Sequence, residues 1–237
     1  MDQAPGPDER VAAVAALDQP LRRALYRLLA RAGGGWTSRD EAAEALGVPR
    51  TVAAFHLDKL AEAGVVDVRF ERTTGRTGPG AGRPAKLYRP SADEVAASVP
   101  DRRYDLAGAL LAEAVATASA TGAPVADCLR TAARTAGLRL GAAAGAEVRA
   151  AADRRAALVD VLARHGYEPQ VAGRGRETEV ALANCPFHRL AADHRDLVCG
   201  MNLDFLGGVV EGLGAADGLA ARLAPEPDWC CVRIAAA

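Results

Sequence analysis

The sequence predicts a mainly α chain with small β components, an N-terminal helical domain closed by a β-hairpin followed by a C-terminal α+β domain. Three observations carry this. Half of the residues are apolar but only 4% are aromatic, so cores must be built from Ala, Leu and Val, and Ala and Leu are the best helix formers. Apolar residues recur at helical spacing in stretches as far as His165, and strand-like alternation is confined to short segments. Four of the five cysteines (Cys185, Cys199, Cys230, Cys231) fall in the last 53 positions with His188 and His194, which concentrates ligand chemistry at one end.

A chain of 237 residues accommodates one large or two ordinary domains. The net charge of −1 conceals an uneven distribution: Pro49 to Pro90 holds eight basic residues against four acidic ones, a local +4. Lys59 and Lys86 are the only lysines, so the abundant arginine reads as base composition and its total is weak support for nucleic-acid binding. With no charged-then-apolar leader and no run of roughly 18 apolar residues, the expectation is a cytoplasmic protein without a membrane partner. In a reducing compartment, cysteines point to thiolate chemistry or metal ligation more than to a disulfide framework.

Residues 1–8, with Pro5-Gly6-Pro7, read as a flexible tail. Helices follow over Glu9–Leu17 and Pro20–Ala32, the second with Asp18 as N-cap. Ser38 with Glu41 three residues on is a capping box that opens a third helix, and Gly47 ends it. A fourth, Arg50 to Ala63, has Val52, Phe55, Leu57, Leu60 and Ala61 as inward candidates. Arg50, Thr51, Ala54, His56 and Lys59 lie on its polar face. Two short helices joined by a tight glycine-containing turn, the second basic outside, form a helix-turn-helix sized for the DNA major groove.

Val65–Arg72 alternates as a strand, and Ala85–Arg89 returns, making a hairpin "wing" whose Gly- and Pro-rich tip carries Arg76 and Arg83. Those arginines, with Lys86, suit a phosphate backbone or a narrow minor groove. The plainer reading of the tip is a linker. Asp18 to Leu25, Ala42 to Leu60 and Gly82 to Tyr88 together resemble winged helix-turn-helix repressors of the ArsR-like superfamily, over residues 9–90. The resemblance implies a homodimer on a palindromic double-stranded DNA operator, with two recognition helices about one helical turn apart.

Residues 91–103 read as a linker containing a short helical piece, Ala92–Ser98, and 104–237 as a C-terminal α+β dimerisation and sensory domain. Helices are expected over Tyr104–Thr121, Pro124–Ala143 and Ala146–His165. The first, apolar at Leu106, Leu110, Leu111 and Val115, is either a dimer element or a core helix. Strands Glu168–Ala172 and Glu177–Ala183 form a hairpin that ends in Asn184-Cys185-Pro186. Two helices follow, Pro186–His194 and one starting at Val198 or Cys199, then strands Ala220–Leu223 and Cys230–Ile234.

The gaps Cys185 to Cys199 and Cys199 to Cys230 are far longer than those of zinc knuckles, which suits a cofactor assembled by tertiary structure. Helix N-termini at Cys185 and Cys199 would favour thiolates. Cys230 and Cys231 are adjacent, so in a strand only one faces the site, and Cys230 is preferred. Cys185-Pro186-Phe187-His188, Leu197 to Asn202 and Cys230, behind a winged helix, resemble the iron-sulfur-sensing repressors of the Suf operon. That resemblance implies an iron–sulfur cluster, 2Fe–2S or 4Fe–4S, on Cys185, Cys199 and Cys230, with Cys231 able to replace or supplement the last; His188, outside the family's pattern, is a further candidate ligand.

His188 departs from that pattern and keeps zinc open. Inert buried thiols are the plainer reading of Cys185 and Cys199, a surface histidine that of His188 and His194, and a small core residue that of Cys128. No Ser/His/Asp elbow, phosphate loop or paired-carboxylate motif points to an enzyme. Only Cys185 with His188 speaks for a thiol-dependent one.

Overall fold

The structure, a computed structural model, describes residues 5–71, 84–91, 94–146, 148, 151–173 and 179–237, the side chains of 151–153 excepted. The chain is mainly helical with small antiparallel sheets and divides into two compact units, Met1–Ala97 and Ser98–Ala237.

The first unit contains α1 (Pro7–Ala16), α2 (Pro20–Arg31), β1 (Thr37–Ser38), α3 (Arg39–Leu46), α4 (Arg50–Glu62), β2 (Val66–Glu71) and β3 (Ala85–Pro90). The capping box forms as read: Ser38 Oγ accepts from the Glu41 amide at 3.2 Å, and the Glu41 carboxylate accepts from the Ser38 amide at 2.7 Å. Gly47 closes α3 at φ 63°, the left-handed conformation that turns the chain directly into α4. β3 pairs antiparallel with β2, Val68 opposite Tyr88, and β1 adds to its other edge. Leu25, Leu29, Leu57, Leu60 and Tyr88 are fully buried between these elements.

Three expectations fail here. Gln19 rather than Asp18 caps α2, accepting from the Arg22 amide at 2.7 Å, because it directly precedes Pro20 at the first helical position. α4 buries Ala53, Leu57 and Leu60 and leaves Val52 and Phe55 exposed. At about 100° per residue Phe55 lies on the opposite side of the helix from Ala53. Described residues 94–98, expected within a short helix, have no regular structure; so short a piece does not offset the cost of helix nucleation.

The second unit contains α5 (Tyr104–Thr121), α6 (Val125–Gly145), α7 (Ala151–Arg164), β4 (Pro169–Ala172), β5 (Glu179–Leu182), α8 (His188–Asp193), α9 (Arg195–Gly212), β6 (Leu219–Leu223) and β7 (Val232–Ala236). α5 turns Ala107, Leu110, Ala114 and Ala118 inward, so Val115 is exposed. α6 and α9 meet backbone to backbone. A Cβ added to Gly137 or Gly141 would run into the carbonyls of Phe205 or Val209, and one on Gly208 or Gly212 into those of Arg134 or Leu138. Only glycine permits so close an approach.

The second sheet has the order β4-β5-β7-β6, antiparallel throughout. Because β5 and β7 are neighbours, the exit of β5 into Asn184-Cys185 lies beside the entry to β7. The Cys230 amide donates to the Leu182 carbonyl at 2.9 Å.

Candidate functional site

The helix-turn-helix face is built by α3, the Gly47 turn and α4. Arg50, Thr51 and Lys59 are exposed, while Ala54 and His56 are half-buried. Arg50 pairs with Asp40 at 2.5 Å and Lys59 with Glu62 at 2.6 Å, exposed pairs of little strength that a phosphate can displace. Lys86 is held differently. Its Nζ donates to Asp58 of α4 at 2.6 Å, beside the Tyr88 hydroxyl at 2.5 Å and Arg39 at 3.1 Å, so it ties the sheet to α4.

Burial opposes the charge on Asp58, but the Lys86 and Tyr88 hydrogen bonds and the Arg39 charge prevail and hold the carboxyl below its ordinary value. His56 turns Nδ1 inward, where it has no hydrogen-bond partner among the described residues, and burial, then the Arg22 charge, lowers its pKa. The wing-tip candidates Arg76 and Arg83 lie outside the described residues.

In the second unit Cys185, Cys199, Cys230, Cys231 and His188 all line one open cavity of about 650 Å³. Arg102 and Arg195 add positive charge to its wall. The four cysteines arrive from three places in the fold: Cys185 follows β5, Cys199 is in the second turn of α9, and Cys230-Cys231 precede β7. His194, between α8 and α9, does not line this cavity, and Cys128 is buried in α6.

The pairing of the sulfurs differs from the expectation. Cys199 is joined to Cys231 in a disulfide, where the expectation was thiolate chemistry or metal ligation rather than disulfides. Neither Cys230 nor Cys231 is inside β7, so strand alternation does not govern where they point. Cys199 also lies past the N-terminal turn of α9, which removes the helix-end argument for it.

Cys230 instead donates to Cys185. That hydrogen bond outweighs burial, and with the Phe187 amide and the Arg102 charge it brings the Cys185 pKa down to about 7. The same hydrogen bond, then burial, keeps the Cys230 thiol protonated.

Behind the thiols runs a buried relay that sequence reasoning missed. The Tyr167 hydroxyl donates to Asn202 Oδ1 at 2.6 Å, and Asn202 Nδ2 donates to Cys230 Sγ at 3.3 Å. Asn184 donates to the Asp101 and Gly166 carbonyls at 2.9 and 2.5 Å and accepts from Arg102, which also reaches the Cys185 carbonyl at 3.2 Å. The signal available for Asn202 was an amide inside an otherwise apolar helical stripe. Arg102, 83 residues from Cys185, carried none. Residues 98–103, the end of the expected linker, thus hydrogen-bond within the second unit.

The residues available to a metal or cluster are those five on the cavity wall, a soft, sulfur-rich donor set. With Cys199 and Cys231 joined, no group of three or more His, Cys, Asp or Glu among the described residues stands ready to hold an ion. The set suits a metal only in its reduced form.

An N-terminal helix-turn-helix whose second helix exposes Arg50, Thr51 and Lys59 has the form of a nucleic-acid-binding module. Among the described residues no helix is long and apolar enough to cross a membrane. The model of the helix-turn-helix domain family matches residues 17–69, which supports a DNA-binding transcription regulator rather than an enzyme. No match to the chain is found among curated proteins.

Proposed function

We propose that the chain is a transcriptional repressor, acting as a homodimer on a palindromic operator, whose DNA affinity is set by an iron–sulfur cluster on Cys185, Cys199 and Cys230. Residues 9–90 would bind DNA and 104–237 would dimerise and sense. The observation that supports this most is the convergence of four cysteines on one cavity in a chain with a helix-turn-helix domain.

Ligating thiols must be deprotonated, and Cys185 is already poised for that. Cys199 becomes available when two electrons and two protons reduce its bond to Cys231. A bound cluster supplies redox chemistry through its iron–thiolate bonds. Holding it would tie the turn after β5, the second turn of α9 and the entry to β7 together. Regulation requires that the two forms differ in operator affinity.

Purification under anaerobic, reducing conditions followed by iron, sulfide and zinc analysis tests the reading. Cys199→Ser should remove the visible absorbance and alter operator affinity; unchanged spectra and DNA binding would overturn the cluster reading. Operator binding itself should weaken steeply with salt. His188 on the same cavity supports a second reading, a structural zinc site of Cys185, His188, Cys199 and Cys230. One colourless zinc per chain would decide for it.

A further inference from the structure

We propose that Phe55 is a specificity residue that recognises the C5 methyl group of a thymine in the major groove. The inference rests on the DNA-binding part of the proposed function and extends it to the base read.

Phe55 is 57% exposed at the centre of the outward face of α4, and Val52, one turn earlier, is exposed beside it. Neither belongs to the buried cluster formed by Ala13, Leu25, Leu29, Leu57, Leu60 and Tyr88, so the fold has no evident need of a large ring there. The charged side chains around it are occupied. Arg50 is bound to Asp40, Lys59 to Glu62, and the Asp58 carboxylate is filled by Lys86, Tyr88 and Arg39.

What the helix presents outward, outside the core, is therefore an apolar edge, Val52 and Phe55, flanked by Thr51, with the Phe55 ring edge-on to His56 at 5.2 Å between centroids. A 13-residue helix is the right size to enter the major groove. Of the four bases, thymine presents a methyl group there, and phenylalanine is among the side chains that contact it. Paired cations at the rim can exchange their carboxylates for phosphates on docking, which positions the helix without reading sequence.

The test uses the full chain and duplexes recovered from a random library by binding to it. Each thymine of a recovered duplex is replaced in turn by deoxyuridine, which deletes only the methyl group. The wild-type protein should lose about fourfold in affinity at one thymine per half-site, the value of one buried carbon. Phe55→Ala should bind the thymine duplex more weakly by a similar factor and be indifferent to the replacement. Phe55→Leu, which keeps apolar contact, should retain part of the sensitivity.

Because Phe55 is exposed, both variants should show unchanged unfolding curves. Deoxyuridine that costs wild type and Phe55→Ala alike, or costs neither, overturns the proposal and leaves DNA binding standing. Loss of self-association in Phe55→Ala with thymine preference intact assigns the face to a second copy and also overturns it. If the wild-type protein recovers no duplex, the DNA-binding reading falls and this inference with it.

Discussion

Asn202 of α9 donates its side-chain amide to Cys230 at 3.3 Å while its carbonyl oxygen accepts from Tyr167 at 2.6 Å, so one buried amide joins a helix, a strand entry and a tyrosine. Asn202→Leu removes both bonds and leaves a buried hydroxyl without its partner. The expected cost is about 1–3 kcal/mol, read as a lower urea midpoint at constant slope. Adding Tyr167→Phe should recover part of the loss, because no unpaired donor then remains. Strictly additive losses would show that the two side chains do not act together.

Cys185 should be more reactive than Cys230 at neutral pH in metal-free protein that keeps the Cys199–Cys231 bond. Its pKa near 7 means that alkylation by iodoacetamide reaches half its maximal rate around pH 7 and falls as the thiol protonates below that. Cys230→Ala removes the donor and leaves burial opposing the charge, so the midpoint should move up. A profile unchanged by that substitution would refute the hydrogen bond.

In air-oxidised protein, peptide mapping without reductant should recover Cys199 linked to Cys231, with Cys128, Cys185 and Cys230 recovered as free thiols once the protein is denatured. Cys231→Ser should make Cys199 alkylatable, whereas Cys230→Ser should leave the linked peptide intact. The reverse result would refute the Cys199–Cys231 bond.

The carboxyl of Asp58 has a lowered folded-state pKa, so its stabilising effect is fully present above the ordinary carboxylate value and is lost as pH falls through the lower folded one. Asp58→Asn should cost about 1–2 kcal/mol at pH 7, a figure kept low because the side chain is about a third exposed. The difference between variant and wild type should shrink below pH 4 in urea melts.

Gly141→Ala should destabilise the second unit by about 3 kcal/mol, since the new Cβ meets the Val209 carbonyl and comes within 2.9 Å of the Leu213 amide nitrogen. Gly108→Ala in α5 meets nothing within 4 Å and should stabilise by about 1 kcal/mol through helix propensity. Thermal melts of the two variants, displaced in opposite directions, check the close approach of α6 and α9.

Local patterns were legible wherever the physics is local. The capping box Ser38–Glu41, the Gly47 turn, the full extent of α5 and both hairpins follow from spacing, caps and alternation within a few residues. Burial on α4 was misread because Val52 and Phe55 are apolar, and apolarity alone does not say which side of a helix faces the core. The glycines of α6 and α9 carried no signal, since their value exists only where two backbones meet.

By itself the sequence determined that helices dominate, that a helix-turn-helix precedes a β-hairpin, and that the cysteines gather at the C-terminal end. Only the tertiary structure decided which sulfurs meet. Cys199 joins Cys231 and Cys230 serves Cys185 because β5 and β7 are antiparallel neighbours and α9 crosses beside their ends. Contacts between residues tens of positions apart are set by how sheets and helices pack, and no spacing along the chain encodes them.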